Sequence, residues 1–119
     1  MALYFNLPVY KESYELLLMI FQNSSKLPKN YKYTLGERLK NEATEVLVAI
    51  FEASQSKDKN KAVAIQKALN SLEKCRLFIR ILKVCNIWGI SKQANLNQKI
   101  ESISKQLTQW SIHTARVLQ

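Results

Sequence analysis

The chain has 119 residues, of which 47% are hydrophobic and 23% charged, with two glycines and two prolines. That is enough apolar material for one modest core and argues against disorder; the shortage of turn residues argues against a many-turned all-β fold and leaves nothing for a glycine-rich phosphate loop. The formal charge of +9 makes an anionic partner the first functional expectation.

The first helix is predicted from Pro8 to Asn23, with the proline in the first turn, where its missing N–H costs nothing. Val9, Ser13, Leu16, Leu17 and Ile20 share its inner face, flanked by Tyr10, Tyr14 and Phe21. Leu18 and Met19 lie off that face and hint at a second contact surface. Ser24–Tyr33 is polar, contains Pro28 and reads as a loop. A second helix opens at Thr34, which forms a capping-box pattern with Glu37. Leu35, Leu39, Ala43, Val46, Ile50 and Ala53 follow at helical spacing, and the helix ends near Ser54. Gly36 in its first turn costs up to ~1 kcal/mol against alanine, which implies close approach of a neighbouring element.

Residues 54–60 form a polar connector in which Asp58 or Asn60 can cap a third helix running to Cys85. Its main stripe is Ile65, Ala68, Leu69, Leu72, Cys75, Ile79 and Leu82. Leu77, Phe78 and Ile81 add apolar side chains on the opposite side, and a helix apolar nearly all round is buried on more than one side. Those three are therefore the expected subunit interface. Asn86–Ile90 is a turn containing Trp88, which is read as packing at an interface, and Ser91 is the expected N-cap of a fourth helix. There Leu96, Ile100, Ile103, Leu107, Trp110, Thr114 and Val117 repeat at alternating four- and three-residue steps, a seam suited to bundle packing. Four amphipathic helices with short connectors predict one all-α domain over residues 1–119, an antiparallel up-down four-helix bundle.

Cys75 and Cys85 lie roughly 15 Å apart along a helix, beyond disulfide reach. A reducing, cytoplasmic compartment is expected. One histidine and two separated cysteines make no ordinary zinc site, so no metal and no cofactor are expected. No apolar run approaches the ~20 residues that span a bilayer, and MALYFNLPVYKE is not read as a signal peptide.

The charge is lopsided. Residues 1–55 hold six basic and six acidic side chains, whereas residues 56–119 hold twelve basic and three acidic. Arg76, Arg80 and Lys83 form one ridge on the third helix, bordering its apolar stripe. Lys92, Lys99 and Lys105 follow along the fourth. One reading is long side chains covering the core edge with their heads in solvent; the other is a phosphate-contacting surface made by all six. Tyr31–Lys32–Tyr33 is either a hydrophobic staple at a helix start or a base-stacking element. Nothing suggests catalysis: Glu37, Glu42 and Glu45 lie near Arg38 and Lys40 and read as a solvated face, His113 has no carboxylate near it in sequence, and no nucleotide-binding or hydrolase motif occurs.

Three stretches, LPVYKESYELLLMIF (7–21), YKYTLGERLKNEATEVLVAIF (31–51) and LNQKIESISKQLTQW (96–110), carry a family resemblance. With them the chain resembles the accessory variability determinant (Avd) proteins of diversity-generating retroelements. It is similar more broadly to the four-helix-bundle proteins encoded in intervening sequences of 23S ribosomal RNA genes. The resemblance implies a basic bundle assembled as a ring-like homopentamer. It implies a non-catalytic accessory subunit that associates with the element's reverse transcriptase and template-repeat RNA, and with its cDNA, to support mutagenic retrohoming. No binding signature transfers to individual residues, so Arg76, Arg80, Lys83, Lys92, Lys99 and Lys105 rest on charge alone. Two other readings stand beside it: an intervening-sequence-type RNA-binding protein without a reverse transcriptase, and a purely structural oligomer.

Overall fold

A computed structural model describes residues 4–118, which are helical with no strand among them. Residues 1–3 of the N-terminal segment weighed above as a leader lie outside the described residues. After a 3-10 turn at Tyr4–Asn6 come α1 (Pro8–Ser24), α2 (Lys29–Lys32), α3 (Leu35–Gln55), α4 (Asp58–Val84) and α5 (Ile90–Leu118). The four long helices close a ring, α1 packing on α3 and α5, and α4 packing on the same two. Cross-helix pairs give the directions. Lys40 of α3 lies over Phe21 of α1, while Phe51 near the end of α3 meets Tyr4. Lys99 of α5 bonds Glu15 of α1, and the later Ser102 and Gln106 bond the earlier Glu12. Rising numbers on one helix meet falling numbers on its neighbour, so the bundle is antiparallel and up-down, with extents of 48 × 21 × 19 Å.

The core follows the predicted stripes. Leu16 and Ile20, Leu39 and Ile50, Leu72, Ile79 and Leu82, and Leu96, Ile100, Ile103 and Leu107 are fully buried. Each such side chain contributes about 1.5–3 kcal/mol of burial. Trp88, expected at an interface, is buried in this core, and Val117, expected on the α5 seam, is exposed. The buried part of that seam ends at Thr114.

The helix boundaries depart from expectation where local bonds differ. Within the predicted loop, Pro28 starts a helical turn because its carbonyl accepts from the Tyr31 and Lys32 N–H groups at 2.9 and 2.8 Å. That turn overturns the capping box. The Thr34 hydroxyl donates back to the Asn30 carbonyl at 2.6 Å, and Glu37 pairs with Lys40 at 2.8 Å instead. Lys57, not Asp58 or Asn60, precedes α4, with no side-chain cap, and α5 begins at Ile90, one residue before the expected Ser91 cap. The α4 end is a Schellman motif. Asn86 takes φ 60°, its N–H donates to the Lys83 carbonyl, and the Ile87 N–H donates to the Leu82 carbonyl, each at 2.9 Å. The close approach expected at Gly36 is present: a Cβ there would lie 3.0 Å from Leu27 Cδ1 and 3.2 Å from the Tyr31 carbonyl oxygen.

Candidate nucleic-acid interface

The antiparallel fold sorts the charges along its long axis. Around the waist, acidic residues from every long helix meet basic ones. Lys99 pairs with Glu15 at 2.6 Å and Lys74 with Glu42 at 3.8 Å. Arg76 is held between Glu73, at 3.2 Å, and Glu101. Partial burial alone would lower the Arg76 pKa, but hydrogen bonds to Glu101 and Glu73 and their charges raise it overall. Two of the six expected anion-binding residues, Arg76 and Lys99, therefore have their charge compensated inside the protomer.

Arg80, Lys83 and Lys92 are placed differently. Arg80 and Lys83 lie in the last turns of α4 and Lys92 in the first turn of α5, at the same end of the bundle. None has an acidic partner among the described residues. The sixth, Lys105, is exposed and stands apart, about 20 Å along α5 from Lys92.

The fold brings other cations to the Arg80 end. The α1–α3 connection runs across it and carries Lys26, Lys29 and Lys32, and Arg38 stands in the opening turns of α3. The only carboxylate in that connection or those opening turns is Glu37, already occupied by Lys40. These cations lie in the first half of the sequence, whose net charge is zero, so a linear charge count gave no sign of them. The signal lay in the spacing of Lys26, Lys29 and Lys32 through a segment that must cross the end of the bundle.

Aromatic rings underlie this surface. Lys32 lies 5.7 Å from the Tyr33 centroid, Arg38 4.9 Å from Phe78, Lys40 5.3 Å from Phe21 and Lys92 5.6 Å from Trp88. Tyr33 is 62% exposed, which leaves it open to a stacking base. Lys83, at a helix C-terminus, complements the macrodipole, but Lys92 sits where the dipole opposes a cation by about 0.3–1 kcal/mol. Helix stability therefore does not explain Lys92.

The expected interface residues separate. Leu77 is 53% exposed and Ile81 is half-buried against the core. Phe78, expected beside them, is buried in the protomer because it continues the Cys75–Leu82 stripe at helical spacing. The larger exposed apolar surface is on neighbouring α1 and α3: Tyr14, Leu18 and Phe21 on one, Val48 and Phe51 on the other. Of the two residues expected off the inner face of α1, Leu18 is exposed, whereas Met19 packs on the core.

Cys75 is buried and Cys85 exposed, and both are free thiols. Among the described residues no cluster of His, Cys, Asp and Glu can hold a metal ion, and no helix is long and apolar enough to cross a membrane.

A family described as 23S rRNA-intervening sequence protein matches residues 6–109. Among solved structures, one from Bacteroides thetaiotaomicron, described as a protein of unknown function from the S23 ribosomal protein family, superposes with a TM-score of 0.80 at 17% identity. The alignment covers 87% of this chain and 94% of that one. At that identity the likeness shows the fold alone. No curated protein matches the chain in sequence.

Proposed function

The chain belongs to the 23S rRNA-intervening sequence protein family, and from that premise we propose that it is a non-catalytic RNA-binding protein whose contact surface is the cationic end of the bundle. The observation that carries this reading is the gathering there of Lys26, Lys29, Lys32, Arg38, Arg80, Lys83 and Lys92 without free carboxylates, while the waist is charge-compensated. Such a surface binds a phosphate backbone through counterion release, and the exposed Tyr33 ring suits an unpaired base.

The resemblance to Avd proteins gives the reading its finer form. The protein serves as an accessory subunit of a diversity-generating retroelement, brings template-repeat RNA to the element's reverse transcriptase and supports mutagenic cDNA synthesis in the cytoplasm. It acts as a homopentamer, with the exposed apolar residues of α1, α3 and α4 available for contacts between copies. Repetition of the cationic end around a ring raises avidity without new contacts per subunit. Lys99 and Arg76 are charge-compensated in the protomer and leave the proposed contact set; Lys105 stays as a peripheral contact.

Affinity purification from the native host tests both levels. The proposal expects the protein to bring down RNA together with a reverse transcriptase. Recovery of ribosomal RNA without a polymerase supports the intervening-sequence-type role instead. Recovery of no nucleic acid rejects the RNA-binding function.

A further inference from the structure

The opposite end of the bundle holds a feature that the RNA-binding reading does not use. Where the α3–α4 connection meets the last turns of α5, a cavity of about 530 Å3 opens, within the range of small-molecule sites. Its aromatic wall is Trp110, half-buried against Ala53, Ala64 and Ile65 and so fixed in place. The Lys61 ammonium lies over the Trp110 ring, 5.5 Å from its centroid, and Lys57 also lines the cavity. His113 and the buried Thr114 complete a polar side, and Asp58 is the one carboxylate among the lining residues.

We propose that this cavity binds a nucleoside monophosphate, with the base taking the place of the Lys61 ammonium on the Trp110 indole and the phosphate held by Lys57 and the displaced Lys61. An aromatic wall beside two ammonium groups matches a ligand that joins a flat ring to an anion. Neither inorganic phosphate nor an uncharged nucleoside uses both halves. Base stacking on an indole contributes regardless of which base is present, and a phosphate adds charge-assisted hydrogen bonds from the lysines. The Thr114 hydroxyl and His113 imidazole supply further polar contacts for the sugar. Asp58 opposes the anion, so the phosphate lies on the Lys61 side. The same chemistry arises in a free nucleotide and in the phosphorylated 5′ end of a strand.

The two tryptophans make the test direct, because Trp88 lies in the core at the other end of the bundle. In the full chain, AMP titrated against an NMR spectrum is expected to shift the Trp110 indole N–H and the His113 signals saturably while leaving Trp88 unmoved. Adenosine and inorganic phosphate shift them far more weakly. Lys61→Gln and, separately, Lys57→Gln each weaken AMP by about tenfold, the worth of one charge-assisted hydrogen bond. Arg80→Gln/Lys83→Gln leaves AMP binding unchanged, so the outcome is independent of the RNA surface. A 5′-phosphorylated oligonucleotide that competes with AMP assigns the site to strand ends; one that does not assigns it to free nucleotides. The absence of a saturable Trp110 shift at millimolar AMP, or wild-type affinity in both folded lysine variants, overturns the proposal.

Discussion

The Arg38 guanidinium lies 4.9 Å from the centroid of the Phe78 ring, joining the opening turns of α3 to the last turns of α4. Phe78 is buried, so the ring serves as a floor that holds a cation at the surface. The contact links the electrically neutral half of the sequence to its basic half. Through it the charge of Arg38 adds to that of Arg80 and Lys83, which lie far along the chain.

The first prediction concerns the part of the surface that charge counting misses. Lys29→Gln/Lys32→Gln should weaken RNA binding about as much as the same change at Arg80 and Lys83, because a phosphate backbone responds to local charge and not to sequence position. Electrophoretic mobility shifts of the two double variants at one ionic strength compare them. A normal affinity for Lys29→Gln/Lys32→Gln would confine the surface to α4 and α5.

The waist should behave in the opposite way. Arg76→Gln removes a charge that Glu73 and Glu101 already balance. It should change RNA affinity little and cost about 1 kcal/mol of stability, at the upper end for exposed pairs because two carboxylates lose a partner. Glu73→Gln/Glu101→Gln should release Arg76 and tighten RNA binding. Denaturant melts and RNA titrations of the same samples check both effects.

Gly36 permits the α2 turn to lie on the start of α3. A Cβ at this position meets Leu27 at 3.0 Å and the Tyr31 carbonyl oxygen at 3.2 Å. Alanine gains up to ~1 kcal/mol in helix propensity, whereas overpacking costs about 1–3 kcal/mol. Gly36→Ala should be a net loss of about 1 kcal/mol, and Gly36→Val a larger one, measured by thermal or denaturant unfolding. Because α2 carries Lys29 and Lys32, a shifted turn should also lower RNA affinity.

The two thiols should differ sharply. Burial, with a smaller contribution from Glu42, pushes the Cys75 thiol from 9.0 up to about 12. An alkylating reagent should modify Cys85 alone in the folded protein and both thiols after unfolding. Above about pH 9 the unfolded Cys75 ionises while the folded one stays protonated, so the unfolded state binds fewer protons and stability falls as pH rises. The slope approaches about 1.4 kcal/mol per pH unit until the folded thiol titrates near pH 12. Comparing unfolding free energies of wild type and Cys75→Ala between about pH 8 and 10 isolates this contribution.

Sequence periodicity was sufficient for the four long helices because each buries an unbroken apolar stripe, such as Leu96–Ile100–Ile103–Leu107. It failed where a single bond decides the geometry. Thr34 carries a capping pattern, but the preceding turn offers its hydroxyl a carbonyl first. Phe78 fits both faces of α4 by composition, and only its place between Cys75 and Leu82 sends it inward. The candidate site was legible in part. Arg80, Lys83 and Lys92 are found by counting charge along the helices, whereas the compensation of Arg76 by Glu101 and of Lys99 by Glu15 depends on neighbours 25 and 84 residues away.

The most direct test is the salt dependence of RNA affinity in wild type and in a folded Arg80→Gln/Lys83→Gln/Lys92→Gln variant. Three lost phosphate contacts should flatten the slope of log K against log salt by about 2 for single-stranded RNA. An unchanged slope in that variant would mean that RNA is held somewhere other than the cationic end of the bundle.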